Sequence, residues 1–157
     1  MDYFSHLQKD KKLLPALTEK IELQGSDSRL EIALISSIIS QQLSTKVASV
    51  IKQRFYSVFG GREPALEEIV AVSPQQLRSI GLSKAKAAYV HNVATFFLGK
   101  AITRSEIESM DNESIIKLLT EIKGVGRWTV EMILMFTLGR KDVFAADDLN
   151  IQQTMIH

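Results

Sequence analysis

The 157-residue chain has no cysteine, only three prolines and only three histidines, His6, His91 and His157. Without cysteine there can be no disulfide, thiolate zinc site or cysteine-ligated iron–sulfur cluster. Histidines this far apart argue against a histidine metal site. No apolar run approaches a membrane span, and the start, MDYFSHLQKDKK, lacks a signal-peptide core. The expectation is a protein of the cytoplasm, or of the nucleus in a eukaryote, with no membrane partner. What remains is 45% hydrophobic and 24% charged, with no low-complexity tract. That composition fits one globular domain, or two small helical lobes sharing a cleft.

A net charge of +1 says little by itself, but its distribution is uneven. From Ile69 to Ser105 there is no acid, while Arg78, Lys84, Lys86, Lys100 and Arg104 are basic. Acids gather at Glu63, Glu67 and Glu68, and again at Glu106, Glu108, Asp111 and Glu113. The one-signed stretch fits a face for a phosphate backbone and fits a solvated helix face equally well.

Helical spacing runs through Leu30, Ala33, Leu34, Ser37 and Ile38, then Val47, Val50, Ile51 and Val58. A third stripe is Ala85, Ala88, Tyr89, Asn92, Val93 and Phe96. Ser73 and Asn112 read as N-caps. Strand alternation is absent, so the expected fold class is all-α.

The most informative stretch is Leu118 to Asp148, LLTEIKGVGRWTVEMILMFTLGRKDVFAADD. Two helical segments meet at Lys123-Gly124-Val125-Gly126, and a loop returns to Asp147-Asp148. Glycines there permit a tight turn and let amides approach another surface without a Cβ between. Amides at a helix start attract phosphate. A second segment of similar form, LRSIGLSKAKAAYV from Leu77, has Gly81 but no second glycine. It reads as a structural bend or as a phosphate contact through Lys84 or Lys86.

A helix from about Arg127 to Leu138 rises roughly 18 Å. The residues from Gly139 to Ala146 can span roughly 26–29 Å. That brings Asp147 back beside Trp128, the only tryptophan. On this helix Trp128, Met132 and Met135 lie on one side, with Val130, Ile133, Leu134 and Thr137 on the other. Trp128 fits a core anchor, or a face on which a DNA base stacks with Met132 as a soft wall. An ionised acid near a sugar suits glycosidic cleavage, whose transition state is cationic. Of Asp147 and Asp148, at least one is expected to cap the last helix. Ser40-Gln41-Gln42-Leu43-Ser44 closes an apolar helix; Gln41, Gln42 or Leu43 could enter a duplex where a base has left.

Together these residues resemble the helix-hairpin-helix DNA glycosylase superfamily, in its alkylated-base (3-methyladenine DNA glycosylase II) branch. The most specific part is IKGVGRWTVEMI followed by KDVFAADDL, and the likeness runs from about Leu30 to the end. It implies a two-lobed helical fold with a cleft, one domain over 1–157 with its hairpin at 115–138. Relatives continue into further helices, so the chain is expected to be short of that end. The resemblance assigns DNA contact to Lys123, Gly124, Val125, Gly126 and Arg127, with Gly124 and Gly126 carbonyls available to a monovalent cation. It makes Gln42 the duplex wedge between Gln41 and Leu43, Trp128 and Met132 the base pocket, and Asp147 the catalytic acid, with Asp148 the helix-start partner. Bifunctional relatives have a lysine where Trp128 stands, so the implied enzyme is monofunctional. Ala146 stands where relatives commonly have proline or valine, and Met132 where some have an aromatic residue. The implied activity is removal of alkylated purines from double-stranded DNA by a cofactor-free monomer. The alternatives are a non-catalytic DNA-binding module and a glycosylase for oxidised, deaminated or mismatched bases.

Overall fold

The computed structural model describes residues 3–17, 19 and 24–155. Among them every regular element is helical, as expected from the sequence. A short α1 (Tyr3–Leu7) and a 3₁₀ turn (Leu14–Ala16) precede nine helices. These are α2 (Leu30–Ser40), α3 (Thr45–Val58), α4 (Leu66–Ala71), α5 (Pro74–Ser79) and α6 (Lys84–Lys100). Then come α7 (Arg104–Ser109), α8 (Asn112–Leu119), α9 (Arg127–Phe136) and α10 (Leu149–Met155). No helix among the described residues is long and apolar enough to cross a membrane.

The centre is α2. Its sequence LEIALISSIIS is apolar on several faces, and Leu30, Ile32, Leu34, Ile35, Ile38 and Ile39 are buried. A helix of that kind must be surrounded, and α2 packs on α3, α6 and α9. Around α6 lie α2, α4 and α5, while α8 packs on α9. The hairpin that opens α9 and the Gln41–Leu43 loop that closes α2 come together, with Gln41 Nε2 3.4 Å from Thr129 Oγ1 in the first turn of α9.

Two of the expected stripes are displaced. On α3 the buried line is Ala48, Ile51 and Phe55, whereas Val47 and Val50 are exposed. On α6 it is Ala87, Val90, Val93, Ala94 and Phe97, so the face is turned from the one read in the sequence. In each case the first helical turn carries apolar residues that point outward, and spacing alone cannot tell which of two neighbouring faces is inside. Ser73 does cap α5, accepting from Gln76 N–H at 3.2 Å. The expected cap at Asn112 falls one residue earlier, where Asp111 accepts from Ser114 N–H at 2.9 Å.

The basic stretch is largely answered from within. Lys100 pairs with Glu121, and Arg104 with Glu108, while Arg104 also reaches the carbonyls of Ser26 and Ser28. Arg78 and Lys84 are exposed and make no ion pair among the described residues.

Before α4, Arg62 grips Glu68 with both guanidinium arms, and Glu68 also accepts from Ala65 N–H at 2.8 Å. The Arg62 hydrogen bonds first, then the Ala65 amide, hold the Glu68 carboxyl down at about 2. A lowered carboxyl contributes stability that is present above its unfolded value and lost as pH falls toward the folded one. An NMR titration should therefore place the Glu68 midpoint near pH 2, and Arg62→Met should raise it toward the ordinary glutamate range, stopping short of it because the Ala65 amide still bonds the carboxylate.

Candidate DNA-binding and base-excision site

The hairpin sits between α8 and α9. Gly124 adopts φ +106°, and a Cβ there would lie 2.1 Å from the Tyr89 ring on α6. The fold itself demands this glycine, on both conformational and steric grounds. Asn92, one turn along α6, donates from Nδ2 to the Lys123 carbonyl at 2.9 Å. Val125 is buried and its N–H bonds Ile122 O at 2.9 Å. Thus α6 buttresses the turn while Lys123 remains exposed.

Gly126 differs. It is the N-cap of α9 at φ −97°, with no side-chain cap, and a Cβ there would meet nothing within 4 Å. Neither strain nor crowding inside the protein requires glycine here. The other segment, α5–turn–α6, makes the contrast clear. Gly81 has φ +110°, like Gly124, but the N-cap is Ser83, whose Oγ accepts from Lys86 N–H at 3.2 Å. That helix start is satisfied by its own side chain, whereas the amides opening α9 are left for an outside acceptor. Of the carbonyls expected to face a cation, Gly126 O accepts from Val130 N–H, and Gly124 O accepts no hydrogen bond among the described residues. Among those residues no group of three or more His, Asp or Glu could hold a metal ion.

Two cations expected at the DNA are engaged elsewhere. Arg127 pairs with Glu113 and with Glu131, at 3.0 Å for the latter. These hydrogen bonds, Glu113 first, raise the guanidinium above its usual value, so its charge is committed to fixing α9 against α8. Lys86 donates from Nζ to Ile39 O at 2.8 Å and Gln41 O at 2.6 Å. It closes the end of α2 and offers no ammonium to phosphate. Lys84 stays exposed.

The loop after α2 separates the three wedge candidates. Gln41 is half-buried, its amide 3.4 Å from Thr129 Oγ1, and Leu43 packs against the core. Gln42 is exposed at the tip, in the left-handed region with φ 57°. Only Gln42 is free to project.

Trp128 is 40% exposed, which sets aside the core-anchor reading. The carboxylate that meets it is Asp148, not the expected Asp147: Trp128 Nε1–H donates to Asp148 Oδ2 at 2.7 Å. Oδ1 of Asp148 also accepts from Ile151 N–H at 3.3 Å, capping α10. Asp148 therefore both meets the indole and caps α10. Asp147 is exposed and makes no hydrogen bond or ion pair among the described residues. The reason is local. Asp148 N–H bonds Ala145 O, a turn that brings residue 148 under the indole and leaves 147 outside.

Along α9, the buried side is Val130, Ile133, Leu134 and Thr137, as read from the sequence. Met132, one turn after Trp128, lines a groove of about 320 Å³ with Phe136, Ile32, Ala33, Ser36 and Tyr56. Ligand pockets commonly measure roughly 300–1,000 Å³. Phe136 in its wall is more than half exposed. Tyr89, Asn92 and Thr129 were not singled out as site residues in the sequence. A polar Asn92 inside an apolar stripe was the one available signal.

Residues 35–157 match the family model for HhH-GPD superfamily base excision DNA repair proteins. DNA-3-methyladenine glycosylase 1 of Schizosaccharomyces pombe is 43% identical over 121 residues, covering 76% of this chain and 53% of that protein. A solved S. pombe 3-methyladenine DNA glycosylase bound to abasic DNA superposes with TM-score 0.84 at 36% identity, covering 97% of this chain and 77% of the other. The DNA-3-methyladenine glycosidase of Bacillus halodurans gives TM-score 0.82 at 34% identity, covering 94% and 68%. The chain spans about half the length of the curated relatives it matches. A family model matched over residues 35–157, with a relative 43% identical over 76% of the chain, leaves a single conclusion: the chain belongs to the HhH-GPD superfamily of base excision DNA repair proteins.

Proposed function

We propose that the protein is a monofunctional DNA N-glycosylase that releases alkylated purines of the 3-methyladenine type from duplex DNA, initiating base excision repair. The single observation that carries this reading is the Trp128–Asp148 hydrogen bond in the first turn of α9, which opens from the hairpin with no side-chain cap. An aromatic face and a carboxylate side by side supply what base removal needs: a surface for the everted base and a negative charge for the sugar.

Gly124, Val125 and Gly126 present the amides of α9 to a backbone phosphate, with Lys123 beside them and Lys84 on the neighbouring turn. A monovalent cation at the Gly124 and Gly126 carbonyls would add charge for that phosphate. Gln42 enters the stack while the damaged nucleotide swings out against Trp128 and Met132. A purine methylated at N3 or N7 is already cationic, so it leaves with the electrons of the C1′–N bond and needs little acid assistance. The sugar becomes oxocarbenium-like. The carboxylate nearest the indole, Asp148, is the group we assign to stabilise it and to orient water, in place of Asp147. Water then adds to C1′ and gives up its proton, leaving an abasic site and a neutral free base. Trp128 cannot form a Schiff base, so the strand is not cut.

The test uses full-length protein on methylated duplex DNA, with chromatography of released bases and borohydride added in parallel. Free 3-methyladenine without a trapped protein–DNA adduct is the expected result. Duplex binding with no base released would instead identify a non-catalytic DNA-binding module, and a borohydride adduct would identify a lyase.

A further inference from the structure

We propose that Lys86 is a positioning residue for base extrusion: by bridging the Ile39 and Gln41 carbonyls, it holds the 41–43 loop in the shape that presents Gln42 to the duplex. This rests on the glycosylase reading above and extends it to a residue that never touches DNA.

The last carbonyls of a helix lack intrahelical partners. At the end of α2 the chain turns sharply: Gln41 takes φ −49°, ψ 131°, and Gln42 follows at φ 57°. A left-handed residue with a side chain persists only where its surroundings hold it. Three restraints surround this one. Leu43 N–H bonds Ser40 O at 3.1 Å, and the Gln41 amide reaches Thr129 Oγ1 at 3.4 Å. The third is the Lys86 ammonium, at 2.8 and 2.6 Å from two carbonyls on either side of Ser40.

Lys86 is well placed to act as a fixed post. It lies in the first turn of α6, which Ser83 caps, and α6 packs directly on α2. Its ammonium has no carboxylate partner among the described residues, so its charge serves the carbonyls and the negative end of the α2 dipole. Burial of that ammonium lowers its affinity for a proton, as for a group turned inward. Gln42, by contrast, makes no hydrogen bond within the described protein. The backbone is pinned and the side chain is left for something outside.

The experiment is Lys86→Met in full-length protein, which keeps the aliphatic stem and removes the ammonium. Single-turnover excision is measured for one methylated purine, either fully paired or in an unpaired bubble where extrusion is already done. The expected loss is about tenfold or more on the paired substrate and within about threefold in the bubble, with Lys86→Arg restoring most activity. The salt dependence of binding should be unchanged, since a phosphate contact would lower the slope by about 0.9 on removal. Equal losses on both substrates, no loss, or that lower slope would each overturn the proposal. Should Lys86→Met fail to fold, Lys86→Gln is read in the same way. If wild-type protein releases no base at all, the glycosylase reading fails by itself. The wedge is then read by 2-aminopurine fluorescence beside the lesion, and an equal rise with wild type and Lys86→Met would refute the role of Lys86.

Discussion

Asp148→Asn in the full-length protein is expected to lower single-turnover release of methylated purines by about 10²–10³-fold, while duplex affinity stays within about threefold. That is the scale on which loss of one preorganised electrostatic group slows a charged transition state. Asparagine keeps the shape but has one acceptor oxygen, so it can keep the indole N–H bond only by turning its NH2 toward Ile151 N–H; the substitution removes the charge and the α10 cap together. Asp147→Asn is the internal control. Its side chain is exposed and engages nothing among the described residues, so activity should remain near wild type. The opposite ranking, with Asp147→Asn inactive and Asp148→Asn normal, would sink the assignment to Asp148 and restore the one expected from the sequence. Trp128→Phe separates the two contributions of the indole. It keeps a stacking face but removes the 2.7 Å bond to Asp148, so a loss in turnover with base affinity retained would show that the indole orients the acid as well as holding the base.

The exchange of Asp147 for Asp148 shows where the sequence stops being readable. Gly-x-Gly before a helical run, a lone tryptophan just inside it and an acid pair one loop later sufficed to place hairpin, indole and carboxylate at one site. Which carboxylate meets the indole is set by the turns of the 144–148 loop, Ala146 N–H to Phe144 O and Asp148 N–H to Ala145 O, in a segment that has no periodicity to count. The same limit explains Lys86 and Arg127. Both lie in motifs that suggest phosphate contact, yet each finds protein oxygens through tertiary packing: carbonyls 47 and 45 residues away for Lys86, and Glu113 on the preceding helix for Arg127. A basic residue in a DNA-binding motif is free for DNA only if the fold does not claim it first. The buried faces of α3 and α6 were missed for a milder reason. Alanine and valine on adjacent faces give two stripes of similar quality, and only the neighbours decide between them.

The two glycines of the hairpin should respond in opposite ways. Gly124→Ala puts a methyl group 2.1 Å from the Tyr89 ring at φ +106°. Over-packing and positive φ together cost roughly 2–5 kcal/mol, and for a chain of this size a fall in Tm of roughly 5 °C or more follows. Gly126→Ala meets open space at an ordinary φ of −97°. Folding stability should stay within about 1 kcal/mol of wild type, since the freedom lost by the unfolded chain is offset by alanine being the poorer N-cap. Its DNA affinity, however, should fall about tenfold or more, because the new methyl group occupies the approach of phosphate to the α9 amides. Thermal melts paired with duplex-binding titrations read both effects. If Gly126→Ala binds duplex like wild type, the open space in front of α9 is not where the phosphate lies. If Gly124→Ala is as stable as wild type, the Tyr89 ring does not buttress the turn. The pairing matters because the two residues share a motif but not a reason. The Tyr89 ring holds position 124 to glycine, whereas nothing among the described residues holds position 126 to it.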